Sequence, residues 1–356
     1  MKDQNREDEI RATFAQQAVW CRALGSPLTA LVVEILGARL DRSSASGRRV
    51  LDWVGDTGAM GHSVPLRCAG ALNGLVRAGQ LPQLARFYPP HNLPDQEVFG
   101  AAVMAAISAK DAAINRWLDH APQTNEVARS GVLYAGMAVI AAEFGLPLAI
   151  FEVGASAGLN LCMDRFEYDF GGVKRGRIGS EVVLNPEWHG RAAPTVDPEI
   201  ATRRGCDLGP LDMVDRGQRE RLLAYIWPDQ PQRLARVNGA IALARAEPPQ
   251  VDRMEAATWV EREIGGQGQN GMVRVLYHSI AYQYFPPETR QRIVDQMETA
   301  GARASAKAPL AWLAFEQFEQ EGPRLTLRMW PNRGAGETHV LATAGAHVQA
   351  IHWMGK

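Results

Sequence analysis

A short apolar run, Leu146-Pro147-Leu148-Ala149-Ile150-Phe151-Glu152-Val153, leads directly into Gly154-Ala155-Ser156-Ala157-Gly158-Leu159-Asn160-Leu161. The first stretch reads as a buried strand, and the second as a tight turn of small residues opening into an apolar helix. Gly154 permits the turn, while Ala155, Ser156 and Ala157 let a ligand approach the backbone closely. Gly158 allows the helix to pack on the strand. A helix starting here would offer unpaired N–H groups and its positive dipole end to an anionic or polar ligand. The spacing is Glu-x-Gly-x-Ser-x-Gly, which separates it from the Gly-x-Gly-x-x-Gly fingerprint whose middle glycine admits a pyrophosphate.

A second group of reactive side chains follows another apolar run, in Tyr277-His278-Ser279-Ile280-Ala281-Tyr282-Gln283-Tyr284-Phe285. His278 is the side chain here that can carry a proton near neutral pH, so it is the candidate base. Tyr282 and Tyr284 can position or stack on a substrate. A third group is Gln123-Thr124-Asn125-Glu126 with Arg129. Helix capping accounts for Thr124, whereas Gln123, Asn125 and Arg129 read as substrate contacts, with Arg129 able to fork onto a carboxylate. Asp207 and Asp212 could receive a substrate amine or hydroxyl, or simply hold turns. A different reaction is also encoded: Gly154 to Gly158 is formally Gly-x-Ser-x-Gly, the nucleophile elbow of serine hydrolases. It would need Asp207 or Asp212 with His278 or His339. Against it, Glu152 precedes the turn and no His-Gly-Gly loop comes before it.

These residues must be carried by two kinds of element. Residues 1–145 show helix-spaced apolar positions over Ile10 to Ala23, Leu28 to Leu40, Val64 to Arg77, Glu97 to His120 and Ser130 to Phe144. They form an expected α-helical N-terminal lid or substrate domain. Residues 146–356 alternate buried strands with helical patterns. The strands are Leu146 to Val153, Met272 to His278 and Leu310 to Glu316; the helices are Arg216 to Ile226, Pro231 to Ala246, Arg253 to Ile264 and Pro287 to Ala302. Strands at Arg324 to Trp330, His339 to Ala342 and Val348 to Trp353 close the chain, the first followed by a turn at Pro331-Asn332-Arg333-Gly334. This is the pattern of an α/β sheet with helices on both faces.

The turn motif resembles motif I of the class I, Rossmann-like S-adenosylmethionine-dependent methyltransferases, an acid followed by Gly-x-Gly-x-Gly, with Ser156 where the second glycine would stand. The wider set is similar to the bacterial domain of unknown function 2332 family. It comprises Pro122 to Ser130, Glu152 to Leu161, Arg204 to Asp212, Trp227-Pro228-Asp229-Gln230-Pro231 and Tyr277-His278-Ser279. The resemblance implies S-adenosylmethionine as cofactor, with Glu152 near its amino-acid part and Gly154, Ser156, Gly158 and Asn160 around its adenosine. It also implies that an acid ending the second strand binds the ribose. With Arg165 to Phe170 as that strand, the acid is Asp169. Substrate-facing residues would follow the fourth strand, at His278 and Tyr282. A methyltransferase-like fold that binds a nucleoside or other small ligand without methyl transfer is the alternative.

Composition limits the partners. The 356 residues carry 38 Lys plus Arg and 39 Asp plus Glu, a net charge of -1, so a small-molecule substrate is expected and no nucleic-acid or membrane partner. The charged start, Met1 to Glu9, lacks the apolar core of a signal peptide, and a cytoplasmic location is expected. Cys21, Cys68, Cys162 and Cys206 show no Cys-x-x-Cys spacing and the eight histidines no His-x-x-x-His spacing, so no metal site is expected.

Overall fold

The computed structural model describes residues 2–318, 321–331 and 336–355; the turn expected at Asn332-Arg333-Gly334 lies outside them. In chain order the helices are α1 (Lys2–Ala23), α2 (Pro27–Arg39), α3 (Ala45–Leu51), α4 (Val64–Arg77), α5 (Pro82–Ala85), α6 (Gln96–Trp117), α7 (Ser130–Phe144), α8 (Arg216–Ala224), α9 (Pro231–Ala246), α10 (Ala256–Ile264) and α11 (Pro287–Ala302). The strands are β1 (Leu148–Val153), β2 (Glu167–Phe170), β3 (Val173–Gly176), β4 (Val183–Leu184), β5 (Glu187–Gly190), β6 (Ile200–Asp207), β7 (Gln250–Arg253), β8 (Val273–Ser279), β9 (Leu310–Gln317), β10 (Pro323–Trp330), β11 (His339–Ala344) and β12 (Ala350–Trp353).

The residues group into two units, one of Met1–Thr124 with Asp215–Ala235 and the other of Asn125–Val214 with Arg236–Lys356. In the helical unit, α2 is apolar on nearly every side and is packed by α1, α4 and α6. The later segment is tied in by polar contacts that explain the Trp227 to Pro231 motif. Asp229 caps the start of α2, taking the Leu28 N–H at 2.8 Å on one oxygen and the Ser26 hydroxyl on the other. The Asn73 amide donates to the carbonyls of Ala224 and Ile226 at 2.9 and 3.0 Å.

The second unit is built on a sheet of order β5-β12-β11-β10-β9-β8-β1-β6-β7. The block β7-β6-β1-β8-β9 is parallel throughout, and β10, β11 and β12 follow as antiparallel neighbours, with β5 parallel to β12 at the edge. Successive strand residues point to opposite faces. Trp312 packs with α10 and α11 residues such as Trp259, Ile293 and Met297. Its neighbour Leu313 lies against α7, where a Cβ added to Gly136 would stand 2.7 Å from it. Helices therefore flank both faces. The stretch Val127–Phe144, long and apolar enough by composition to cross a membrane, is 72% buried in this packing. Cys21, Cys68, Cys162 and Cys206 are free and buried.

Three expectations need correction. The second strand of the parallel block is β6, a run with Arg203 and Arg204 in it. These arginines are tolerated because Arg203 grips Asp164 at 2.6 and 2.8 Å and Arg204 reaches Asp252 at 2.9 Å and Glu263 at 3.1 Å. The stretch Arg165 to Phe170 supplies β2 instead, which belongs to a separate sheet of order β3-β2-β4. After the glycine turn comes a 3-10 helix, Leu159–Arg165, in place of an α-helix.

Candidate active site at the carboxyl ends of β1, β6, β8 and β9

The turn after β1 is held in an unusual backbone path. Gly154 and Gly158 have φ of 70° and 69°, and Ser156, which carries a side chain, has φ of 54°. A non-glycine residue pays roughly 1–2 kcal/mol for this left-handed conformation, so neighbours must hold it. They do: the Ser156 N–H donates to Asp207 Oδ2 at 2.9 Å, and its carbonyl accepts the Leu211 N–H at 3.2 Å. The approach is close on both sides. A Cβ on Gly154 would stand 2.5 Å from Ala281 Cβ, and one on Gly205 of β6 would stand 2.8 Å from Ala155 Cβ. The Ser156 hydroxyl is buried and meets no hydrogen-bond partner among the described residues.

The helix terminus expected to face a ligand is differently used. The Leu159 N–H donates to Asn125 Oδ1 at 2.8 Å, so a side chain of the protein takes the place expected for an anion, and Asn125 is a support of the turn. Asn160 is buried beside it and accepts the Ser130 hydroxyl at 2.8 Å.

Glu152 lies beneath this turn and is 2% exposed. Burial pushes its carboxyl from 4.5 up to about 8, only partly offset by hydrogen bonds from Tyr277 and Asn160. The Tyr277 hydroxyl donates to Glu152 Oε2 at 3.1 Å.

His278 is closed in. Trp312 Nε1–H donates to His278 Nε2 at 3.0 Å, which requires a lone pair there, so the ring carries its hydrogen on Nδ1 and donates it to Glu316 Oε1 at 2.7 Å. Tyr282 stacks on the imidazole at 4.7 Å between centroids and donates its hydroxyl to the Arg290 carbonyl at 2.9 Å. Both ring nitrogens are thus spent within the protein. The expected base is instead a holder of Glu316, and Tyr282 is packed rather than presented.

The remaining candidates scatter. Tyr284 is 53% exposed. The Arg129 guanidinium donates to two backbone carbonyls, Ser279 at 2.9 Å and Ala346 at 3.2 Å. Asp207 takes backbone N–H groups on both oxygens, Ser156 on one and Gly209 at 2.8 Å on the other. Asp212 takes the Val214 N–H at 2.7 Å, in the manner of a turn residue. Asp169 caps the β2–β3 turn through the Gly172 N–H at 2.6 Å, on the separate sheet. Gln123 falls in the helical unit. A cleft of about 210 Å³ lies beside the turn, lined by Ala157, Pro210, Leu211, Met213, Pro249 and Val251 among others. The nucleophilic alternative finds no histidine on the Ser156 hydroxyl: His278 sits between Trp312 and Glu316, and His339 is exposed on β11.

Sequence reasoning missed Glu316. A signal was present, since β9, like β1, is an apolar run with a glutamate near its end. Burial works to raise its pKa, but the hydrogen bond from and charge interaction with His278, together with the Ala281 and Tyr282 N–H groups, outweigh it and hold the carboxyl below 4.5.

A family model described as an uncharacterized protein conserved in bacteria (DUF2332) matches residues 11–353. No curated protein and no solved structure matches the chain.

Proposed function

The chain belongs to the DUF2332 family, and we propose that it is a Rossmann-like, methyltransferase-type protein that binds S-adenosylmethionine at the turn Gly154 to Gly158 and acts on a small molecule. The observation that carries this reading is the parallel order β7-β6-β1-β8-β9 with that turn at the carboxyl end of β1. Counted along the chain, the order is third, second, first, fourth, fifth, and in such sheets ligands lie where the order reverses, here between β1 and β8.

Two features fit an adenosyl ligand. The Ser156 hydroxyl is buried without a protein partner, which is costly unless something else completes it. The cleft beside Ala157 is walled by aliphatic side chains such as Leu211, Met213 and Val251 with Asp212 among them, a mixed lining that suits a ring bearing polar groups. Ser156, Asn160 and the backbone of Gly154 and Gly158 would hold the ligand, with Glu152 beneath. The cofactor supplies a methyl group on a sulfonium. The chain's contribution is placement: Asp207 and Asn125 fix the turn, and Arg129 fixes the end of β8 through the Ser279 carbonyl.

A second reading, ligand binding without methyl transfer, is favoured by one observation: His278 has no ring nitrogen left to act as base. A thermal-shift titration tests the first reading. S-adenosylmethionine and S-adenosylhomocysteine should each raise the melting temperature saturably, and the rise should shrink in Ser156→Ala. No shift at millimolar ligand overturns it. A shift with no methylated product from pooled bacterial small molecules supports the second.

A further inference from the structure

We propose that Glu316 is a recognition carboxylate for a protonated amine, received on Oε2 at the carboxyl ends of β8 and β9. The claim rests on the reading that these strand ends form the ligand site, but not on methyl transfer.

The arrangement around this carboxyl group is one-sided. His278 Nδ1–H at 2.7 Å, the Ala281 N–H at 3.1 Å and the Tyr282 N–H at 3.2 Å all donate to Oε1. Oε2 is shielded from solvent and has no donor among the described residues. Among the described residues no lysine or arginine nitrogen lies within 4.0 Å of Glu316, whose ion-pair partner is His278, and that contact too falls on Oε1. The result is a carboxylate with one oxygen served three times over and the other not at all, an unfavourable state if nothing completes it.

Chemistry narrows what completes it. A second buried acceptor without a donor, the Gln283 amide oxygen, lies on the same loop. An unserved oxygen of a carboxylate calls for a donor that also carries positive charge, which an ammonium provides and a hydroxyl or carboxylate does not. The Glu316 side chain keeps 17% exposure while Oε2 itself is covered. The loop is also strained at its first residue. Ile280 is β-branched yet has φ of 47°, and such positions are held only where the surroundings over-determine them. The register puts this pair of strand ends beside the turn, since Tyr277 is paired with both Glu152 of β1 and Leu313 of β9.

The test uses the full chain and n-butylammonium as the probe, with 1-butanol as its uncharged counterpart and sodium chloride as the ionic-strength control. The Ala281 and Tyr282 amides, both bonded to the same carboxylate, report by nitrogen–proton NMR. The expected result is a saturable shift with n-butylammonium at a concentration at least tenfold below any response to 1-butanol. Glu316→Gln should abolish that preference, and Gln283→Leu, which leaves the carboxylate in place, should weaken it severalfold. An equal response to both probes in the wild-type protein overturns the proposal, as does an ammonium preference that survives Glu316→Gln. The wild-type comparison stands even where a variant fails to fold. S-adenosylmethionine thermal shifts on the same samples separate the two readings. A cofactor shift without an ammonium response sinks the amine site alone, and the reverse sinks the cofactor alone.

Discussion

The Ser156 N–H donates to Asp207 Oδ2 at 2.9 Å, joining the turn after β1 to the last residue of β6. The other oxygen of Asp207 takes the Gly209 N–H at 2.8 Å, so one carboxylate braces two backbone turns. Neutral hydrogen bonds contribute about 1 kcal/mol each and those to a charged acceptor more.

Asp207→Ala should therefore cost about 2 kcal/mol or more, because two N–H groups lose their acceptor. Asp207→Asn keeps one acceptor oxygen and should cost about half as much. Urea denaturation midpoints of the three proteins decide it, and an unchanged midpoint for the alanine variant removes the brace from the account.

Glu152 gives the protein a pH dependence of definite sign. Its carboxyl titrates near 4.5 when unfolded and about 8 when buried, so between these values the folded chain binds more proton than the unfolded one. The stability this group contributes is full below pH 4.5 and is lost as the pH rises toward 8. The slope reaches about 1 kcal/mol per pH unit from this group. Glu152→Gln should flatten the slope in that window, as read from unfolding free energies at several pH values. A variant with the wild-type slope would mean that Glu152 is ionised throughout.

Gly154→Ala tests the close approach of two strand ends. The residue has φ of 70°, and its added Cβ would stand 2.5 Å from Ala281 Cβ, so both backbone strain and a clash apply. Gly172→Ala, at φ of 90° with nothing within 4 Å, carries the strain alone. The expected losses are about 1 kcal/mol for Gly172→Ala and roughly 2–4 kcal/mol for Gly154→Ala. Equal losses would show that the loop carrying Ala281 moves aside freely.

Much of the helix and strand inventory is legible in the sequence, because burial on both faces leaves its mark on composition. The runs expected at Leu146 to Val153, Met272 to His278 and Leu310 to Glu316 correspond to β1, β8 and β9, and the helices expected at Val64 to Arg77, Ser130 to Phe144, Pro231 to Ala246 and Pro287 to Ala302 have the observed bounds. The short strands β3, β4, β5 and β7 escaped, and so did β6, whose Ile200-Ala201-Thr202-Arg203-Arg204 reads as polar surface. Its arginines are neutralised by Asp164, Asp252 and Glu263, partners 39 to 59 residues away in the chain.

The site divides along the same line. The chain by itself determined a glycine turn after a buried strand with Glu152 at its end, because local spacing and apolarity are written in consecutive residues. Only the tertiary structure decided what the polar groups do: it turned His278 toward Glu316 and Trp312, spent Asp207 and Asn125 on backbone N–H groups, and set Asp169 on another sheet. The physical reason is that a hydrogen-bonding side chain takes its role from whichever donor or acceptor burial brings to it, and those partners come from distant segments of the chain.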